Sequence, residues 1–384
     1  MSAPPFDLTL PTDIRVGAGR AAETPDVVVG WVARQVLLVT GRSGERAAPV
    51  IAALHERGIE TSTYAVVGEP TLQVVRDGVI AAAGCDAVIG FGGGSALDVA
   101  KAVAVLAVSG ADPLEHLEVI GDGRPITRPG LPCLAIPTTA GTGSEVTRNA
   151  VLSGDGVKAS LRSPLMLPRV AIVDPDLLTE VPAATIAASG MDALAQVIEP
   201  FLSRRANPFT DALARDGIVR SARSLRLAFT DGMVDPGVRF DLAVTSLFGG
   251  LCLANSGLGA VHGFAAALGA RLGAPHGAVC AAVLAPAVAV NLRAVRERGS
   301  AGTLLRMTEL AVLLTGSVEA EPEDVAGWLG ELTEALQIPG LADCGLVEAD
   351  TTEVVAATQR ASSMRGNPIA LTDDEVAEIL ERSS

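Results

Sequence analysis

A run of glycines that could bind a phosphate stands in GFGGGSALDVAK at residues 90–101, between an apolar run and a helical pattern. Glycines let the backbone approach a diphosphate closely. Ser95 could cap the following helix, whose first N–H groups and positive dipole end would face the anion. The run does not match the GxGxxG dinucleotide fingerprint, and a glycine turn between strand and helix is also a plain structural device. The loop alone leaves both interpretations open.

A second polar segment, PTTAGTGSEVT at residues 137–147, follows another apolar run. Its hydroxyl groups suit the oxygens of a sugar or a phosphate, although a Ser/Thr-rich surface loop has the same composition. Lys101, one of only two lysines, lies in the helical stretch after the glycine run and adds a cation there. Together the two segments favour a nucleotide cofactor.

The elements around these segments alternate between short apolar runs and helical patterns. Strands are predicted at 35–40, 61–67, 86–91, 131–137 and 170–178, with helical stretches between them that stop at Gly58 and Gly84. This alternation predicts a parallel sheet with helices on both faces. From about Pro182 onward, Ala-rich and Leu-rich stretches predict an all-helical region. The expected architecture is an α/β dinucleotide-binding domain at 1–181 and a helical domain at 182–384.

Composition narrows the partners and the compartment. The net charge of −15 opposes binding to nucleic acid or to an anionic membrane. Five scattered cysteines without a CxxC pair favour a reducing compartment, and the N-terminal residues lack the pattern of a signal peptide. The uncharged stretch from Leu242 to Ala270 is interpreted as buried helix and turn rather than as a membrane span. We therefore expect a cytoplasmic protein.

The segments quoted above, with SGMDALAQVIEP, GLGAVHGFAAALG and APHGAVCAAVLAP, resemble the iron-containing (group III) alcohol dehydrogenase family. The resemblance runs from about residue 10 to the C-terminus. It implies a dehydroquinate synthase-like architecture, with an N-terminal dinucleotide-binding domain and a helical domain that holds metal and substrate. It also implies hydride transfer between a nicotinamide cofactor and an alcohol/carbonyl pair, and a homodimer.

Cofactor residues are carried over from the family's motifs. Gly93, Gly94 and Ser95 would hold the diphosphate. The residues that would line the ribose and nicotinamide are Asp98, Thr138, Thr139, Thr142, Thr147 and Lys158.

The coenzyme preference is predicted from the residue after the second strand. Members of the family that use NAD usually have an aspartate there, where it accepts a hydrogen bond from the ribose 2′-OH. Here the position is Gly41, followed by Arg42 and Arg46. Without the carboxylate, and with arginines that could pair with a 2′-phosphate, we expect NADP(H) to be favoured over NAD(H).

The metal-binding pattern of the family is altered in this sequence. The family uses an aspartate and a histidine four residues apart, plus two later histidines; the matching residues are Asp192, Gln196, His262 and His276. A neutral amide oxygen at Gln196 is a weaker ligand for Fe²⁺ or Zn²⁺ than an imidazole. A second departure is Ala266, where many members carry another histidine near the nicotinamide. The other two histidines, His55 and His116, lie in the first half of the chain.

These changes leave two mechanisms. Either Asp192, Gln196, His262 and His276 hold a labile divalent metal that polarises the carbonyl, or His262 and His276 act on the substrate directly without one. The second resembles the maleylacetate reductases, whose dicarboxylate substrate would need arginines; Arg148, Arg162 and Arg365 are candidates. A binding protein that keeps the cofactor pocket but has lost turnover is a further alternative. The identity of the carbonyl or alcohol substrate does not follow from the sequence.

Overall fold

The computed structural model describes residues 6–10, 13–42, 44–118, 120–154, 157–269, 271–272, 275–347 and 351–384. The chain divides into two compact units. The first consists of Thr9–Thr139 and Gly143–Glu180. The second is built mainly from Val181–Ser384 and includes the short segment Ala140–Thr142, which interrupts the first unit along the chain.

The first unit is an α/β unit, as predicted. Its strands are β1 (Asp13–Val16), β2 (Gln35–Thr40), β3 (Glu60–Ala65), β4 (Ala87–Gly92), β5 (Cys133–Pro137), β6 (Asn149–Gly154), β7 (Val157–Arg162) and β8 (Val170–Val173). Its helices are α1 (Thr24–Gly30), α2 (Ala48–Glu56), α3 (Leu72–Ala81), α4 (Gly94–Ser109) and α5 (Pro113–His116). Six strands form a parallel sheet in the order β1-β8-β5-β4-β2-β3, while β6 and β7 pair antiparallel.

Side chains of β2 show why helices cover both faces of this sheet. Leu37 and Val39 pack into one hydrophobic cluster with α3 and α4, whereas Val36 and Leu38 pack into another with α1 and α2. Successive residues of a strand point to opposite faces, so an apolar run without polar alternation requires two covered faces. The apolar run QVLLVT therefore correctly predicts a buried parallel strand.

Two features of the sheet differ from the sequence prediction. The strand expected at 170–178 ends at Val173, because the Asp174 side chain accepts a hydrogen bond from the N–H of Asp176 and Pro175 cannot donate to a ladder. Three strands were not predicted: the short edge strand β1 and the β6–β7 pair. Their polar residues give little of the apolar signal that identified the central strands.

Among the described residues of the second unit, all regular secondary structure is helical. Its helices are α6 (Ala183–Leu202), α7 (Pro208–Asp231), α8 (Pro236–Ser256), α9 (Ala260–Leu268), α10 (His276–Arg298), α11 (Ala301–Thr315), α12 (Asp324–Ala335), α13 (Thr351–Arg360) and α14 (Asp373–Arg382). Helix α6 packs against α7, α8 and α10 and is buried at every position from Gly190 to Leu202. It is therefore the central helix of this unit.

Two helices, α8 and α10, are long and apolar enough to cross a membrane by length and composition alone. In each, 72% of the apolar window is buried within the protein, as in the core helices of soluble proteins. This burial agrees with the interpretation of the stretch from Leu242 as buried helix and turn; its last residue, Ala270, lies outside the described residues.

Candidate active site

The predicted cofactor segments meet at the carboxyl ends of β2, β4 and β5. The N–H of Thr138 donates to the carbonyl of Gly92 at 2.9 Å. A Cβ atom built on Gly92 would lie 3.1 Å from the backbone nitrogen of Gly41, and one on Gly93 would lie 3.2 Å from Thr139 Oγ1. Chain order reverses between β2 and β4, the point at which open parallel sheets bind ligands.

Helix α4 begins at this edge without a side-chain cap. Gly93 is its N-cap residue and Gly94 its first residue, so Ser95 lies inside the first turn and does not cap the helix as predicted. The first N–H groups of α4 therefore have no hydrogen bond from a capping side chain, and Gly93, Gly94 and Ser95 are only partly buried. Open N–H groups at a helix N-terminus suit an anion such as a diphosphate.

Lys101 ties the two cofactor segments together. Its ammonium is fully buried and donates to the carbonyls of Ser144 and Asn149 and to Thr147 Oγ1, at 3.0, 2.5 and 2.9 Å. It also lies 3.0 Å from the carboxylate of Asp98, which accepts hydrogen bonds from Ser144 Oγ and the N–H of Val151. Asp98 and Thr147, predicted to line the cofactor, thus anchor the 137–147 segment to α4.

Lys158 and Thr142 were also predicted to line the cofactor. Lys158 Nζ is 3.0 Å from the carboxylate of Glu69, and its side chain is 7% exposed. Thr142 is exposed and belongs to the helical unit. Their contact with a cofactor stays a prediction.

The two arginines after β2 have different environments. Arg46 donates to the carbonyl of Leu177 and lies 3.8 Å from Glu180, so its guanidinium is already engaged. Arg42 is exposed beside Gly41, where an added Cβ would meet nothing within 4 Å. Of the two, Arg42 is the more exposed.

In the helical unit, α6 carries Asp192 and Gln196 one turn apart on one buried face. The amide nitrogen of Gln196 donates to the carbonyl of Gly141 at 3.0 Å. Its amide oxygen is buried and has no hydrogen-bond partner among the described residues. A buried acceptor without a partner is costly, so this oxygen suits a bound ligand.

His262, on α9, is held by Glu199 of α6. The Nδ1 atom of His262 is 2.7 Å from Glu199 Oε2, while Glu199 Oε1 accepts the N–H of Val261 at 2.7 Å. The second ring nitrogen, Nε2, lies 3.1 Å from Asp192 Oδ1. A carboxylate that fixes one nitrogen of a histidine and leaves the other facing an acidic side chain is typical of metal sites.

His276 begins α10 next to α6. Its Nε2 atom lies 4.0 Å from Asp192 Oδ1, and its side chain is 37% exposed. A Cβ atom at Gly277 would lie 2.1 Å from the carbonyl oxygen of Ala188. Only glycine therefore lets the start of α10 approach α6 closely enough to bring His276 to Asp192.

Cys280, one turn after His276, completes the cluster and was missed by the sequence analysis. Ligand atoms of Asp192, His262, His276 and Cys280 all lie within 4.8 Å of one another. Burial opposes ionisation of the Cys280 thiol, but the positive charge of the two histidines outweighs it and lowers the pKa of the thiol. Glu199 was missed too; its signal was an acidic residue seven positions after Asp192, on the same helix face.

The acidic and basic groups of the cluster stabilise each other's charged forms. Burial disfavours the charged ring of His262, but Cys280, Asp192 and Glu199 raise its pKa well above the usual value. Burial likewise opposes ionisation of Asp192, yet the hydrogen bond from His262 and the charge of both histidines lower its pKa. A carboxylate, two imidazoles and a thiol so close together fit a divalent metal ion.

Comparison with known proteins decides the family. Residues 11–175 match the model of the iron-containing alcohol dehydrogenases, and residues 186–384 match that of the C-terminal region of the Fe-containing alcohol dehydrogenase family. The chain belongs to the iron-containing alcohol dehydrogenase family. As a member, it is an oxidoreductase that interconverts alcohols and carbonyl compounds.

Individual relatives span almost the whole chain. The 4-hydroxybutyrate dehydrogenase of Cupriavidus necator is 32% identical over 361 residues, covering 91% of this chain and 92% of that protein. The crystal structure of a 1,3-propanediol oxidoreductase superposes with a TM-score of 0.91 at 30% identity, over 99% of this chain and 100% of that one. Sulfoacetaldehyde reductase from Bifidobacterium kashiwanohense, solved in complex with NAD+, has a TM-score of 0.87 at 28% identity, over 99% of both chains. The fold and the enzyme class predicted from the sequence are therefore confirmed.

Proposed function

We propose that this alcohol dehydrogenase reduces small aldehydes or ketones, or oxidises the corresponding alcohols, with NADP(H) at a site built around a divalent metal ion. The observation that carries the proposal is the convergence of Asp192, His262 and His276 within 4.8 Å. These residues come from three helices, and Gly277 and Glu199 hold two of those helices in place. Because buried contacts from several helices position these few polar groups, we infer a functional site and not a vestigial one.

Each group of the chain has a defined task in this mechanism. A bound divalent cation supplies Lewis acidity, which stabilises the negative charge that develops on the carbonyl oxygen. Asp192, His262 and His276 would hold the cation, with the amide oxygen of Gln196 as a weak further ligand. Glu199 accepts a hydrogen bond from the Nδ1–H group of His262 and so keeps Nε2 directed at the cluster.

Proton delivery must differ from that of family members with a histidine at the position of Ala266. Ala266 lies one turn after His262 on α9 and has no titratable group. The proton for the alkoxide would then come from water or through a ribose hydroxyl of the cofactor.

A preference for NADP(H) is supported by the end of β2. Gly41 leaves open space where a carboxylate would repel a 2′-phosphate, and Arg42 is exposed next to it. The relative solved with NAD+ shows that the family's fold also accommodates the coenzyme without the phosphate. We further propose a cytoplasmic homodimer, as the resemblance and the free cysteines suggest.

The rival proposal is metal-independent reduction of an oxo-acid. It needs arginines free to bind carboxylates, but Arg162 already lies 3.5 Å from Glu118. A steady-state test separates the two: NADPH oxidation is followed over a panel of aldehydes, ketones and oxo-acids, with enzyme of known metal content. Aldehyde turnover that falls on chelation supports the metal-dependent enzyme; oxo-acid turnover that is unaffected by chelation supports the rival.

A further inference from the structure

The proposed metal site lacks one of the four ligands that the family uses. The family places a histidine where this chain has Gln196, whose nitrogen is bonded to Gly141. Cys280 is fully buried and lies on α10, one turn after His276. Its Sγ atom is 3.9 Å from Nε2 of His262.

Distances between donor atoms are close to those of a tetrahedral site. With metal–nitrogen, metal–oxygen and metal–sulfur bonds of about 2.0–2.3 Å, neighbouring ligand atoms lie about 3.3–3.6 Å apart. The observed separations are 3.1 Å from His262 Nε2 to Asp192 Oδ1, 3.9 Å from His262 Nε2 to Cys280 Sγ, and 4.0 Å from His276 Nε2 to Asp192 Oδ1. All four donor atoms lie within 4.8 Å of one another, so side-chain shifts of up to about 1 Å would close the site.

Charge is also compatible with a thiolate ligand. Among the groups bonded to the metal, a dication held by Asp192 and two neutral imidazoles keeps one net positive charge, which an ionised Cys280 would neutralise. The carboxylate of Glu199, 2.7 Å from Nδ1 of His262, adds a further negative charge beside this set. The thiol proton would pass to solvent when the metal binds. Thiolate is, in addition, a stronger donor than a neutral amide for Zn²⁺, Co²⁺ and Fe²⁺.

We propose that Cys280 binds the metal as a thiolate and replaces the ligand lost at Gln196, so that the donor set is Asp192, His262, His276 and Cys280. This inference rests on the metal site of the proposed function and adds its fourth ligand. The set keeps four protein donors but exchanges one imidazole for sulfur. Because thiolate ligands favour Zn²⁺, we expect this site to prefer Zn²⁺ over the iron that is typical of the family.

Co²⁺ titration of the metal-free protein tests the ligand directly, under anaerobic reducing conditions and without reference to turnover. A cobalt–thiolate bond gives an intense near-ultraviolet charge-transfer band that oxygen and nitrogen ligands do not give. We expect the band in the wild-type protein and its loss in Cys280→Ala, with Zn²⁺ affinity reduced by about 100-fold or more. The matched control is Cys252→Ala, another fully buried cysteine, whose thiol contacts the carbonyl of Thr210; it should keep the band.

A second variant separates the two candidate ligands. Gln196→Ala should retain the band and most of the affinity if sulfur is the fourth donor. Co²⁺ binding by wild-type protein without the band would overturn the role of Cys280 and leave the metal site standing. Failure to bind Co²⁺ or Zn²⁺ at all would overturn both this inference and the metal in the proposed function.

Discussion

The Nε2 atom of His262 is the point at which the helical unit's polar side chains meet. Asp192 and Cys280 lie 3.1 and 3.9 Å from it, and the opposite nitrogen is held by Glu199. Removal of this ring would take away a ligand and leave two buried acidic groups without their partner. The site's activity should therefore depend on it whether or not a metal is bound.

His262→Ala should lower kcat by about 10²–10⁴-fold, since both versions of the mechanism use this imidazole. The measurement is steady-state NADPH oxidation with a saturating aldehyde, alongside His55→Ala, an exposed histidine of α2 that should have no effect. A kcat for His262→Ala close to that of wild type would refute both mechanisms.

Glu199→Gln should weaken Zn²⁺ binding by about 10–100-fold, because an amide holds Nδ1 of His262 less firmly than a carboxylate does. Affinity is measured by competition with a chromophoric chelator. Glu375→Gln is the control, since Glu375 is also a buried acid of the helical unit but pairs with Arg298. Equal losses in both variants would mean that Glu199 has only a structural role.

At this scale, the family motif predicted Asp192, His262 and His276 as metal ligands, and the structure brings them together. It could not predict Cys280 or Glu199, since neither carries a motif signal and both depend on how α6, α9 and α10 pack. Helical spacing places Glu199 on the same face of α6 as Asp192, and Cys280 on the same face of α10 as His276. Spacing does not show that these faces meet at one site, because that depends on close helix contacts such as the one at Gly277.

The ends of β2 and β4 form the crevice that we propose for the coenzyme. Gly41 and Gly92 lie so close that a side chain on Gly92 would contact the backbone of Gly41, whereas a side chain on Gly41 would enter open space. Selectivity between coenzymes can therefore be altered at Gly41 without disturbing the sheet.

Gly41→Asp should reverse the coenzyme preference, lowering kcat/KM for NADPH by at least about tenfold through repulsion of the 2′-phosphate. Gly30→Asp adds the same charge where a side chain also meets nothing, at the end of α1, and should leave the preference unchanged. The ratio of kcat/KM for the two coenzymes is the readout. A strong NADH preference in the wild-type enzyme would contradict the proposed preference for NADP(H), on which this prediction depends.

The central strands and long helices were predictable because their apolar patterns are set by burial on both sheet faces or around a core helix. The sequence did not predict β6 and β7, because their residues show little apolar pattern. Strand β6, for example, is partly exposed. Capping was mispredicted for a related reason. Ser95 has the residue type of a cap, but the helix start at Gly94 depends on how β4 enters the turn.

The stability of the α/β unit should depend on pH through Glu145. Burial raises the pKa of Glu145 to about 7, from 4.5, against the opposing effects of a backbone hydrogen bond and Lys101. Between these pH values the native state binds a proton that the unfolded state has lost, so stability falls as pH rises toward 7. The loss amounts to about 3 kcal/mol and is complete above pH 7.

Glu145→Gln should remove this dependence, because glutamine keeps the shape of the protonated acid. Relative to wild type, the variant should gain about 3 kcal/mol in free energy of unfolding between pH 4.5 and pH 8, measured by urea denaturation. Glu56→Gln, at an exposed position of α2, should show no such change. A constant difference between Glu145→Gln and wild type at both pH values would show that the pKa of Glu145 is the same in the native and unfolded states.

The family match identifies an enzyme that acts on small molecules, and the net charge of −15 opposes binding to polyanions. We propose that its altered ligand set still supports metal-dependent hydride transfer. The most direct measurement is aldehyde-dependent NADPH oxidation before chelation, after chelation, and after stoichiometric Zn²⁺ or Fe²⁺ is restored. We predict loss of activity on chelation and its return with metal; activity that is the same in all three states would contradict the claim and assign the chemistry to His262 and His276 alone.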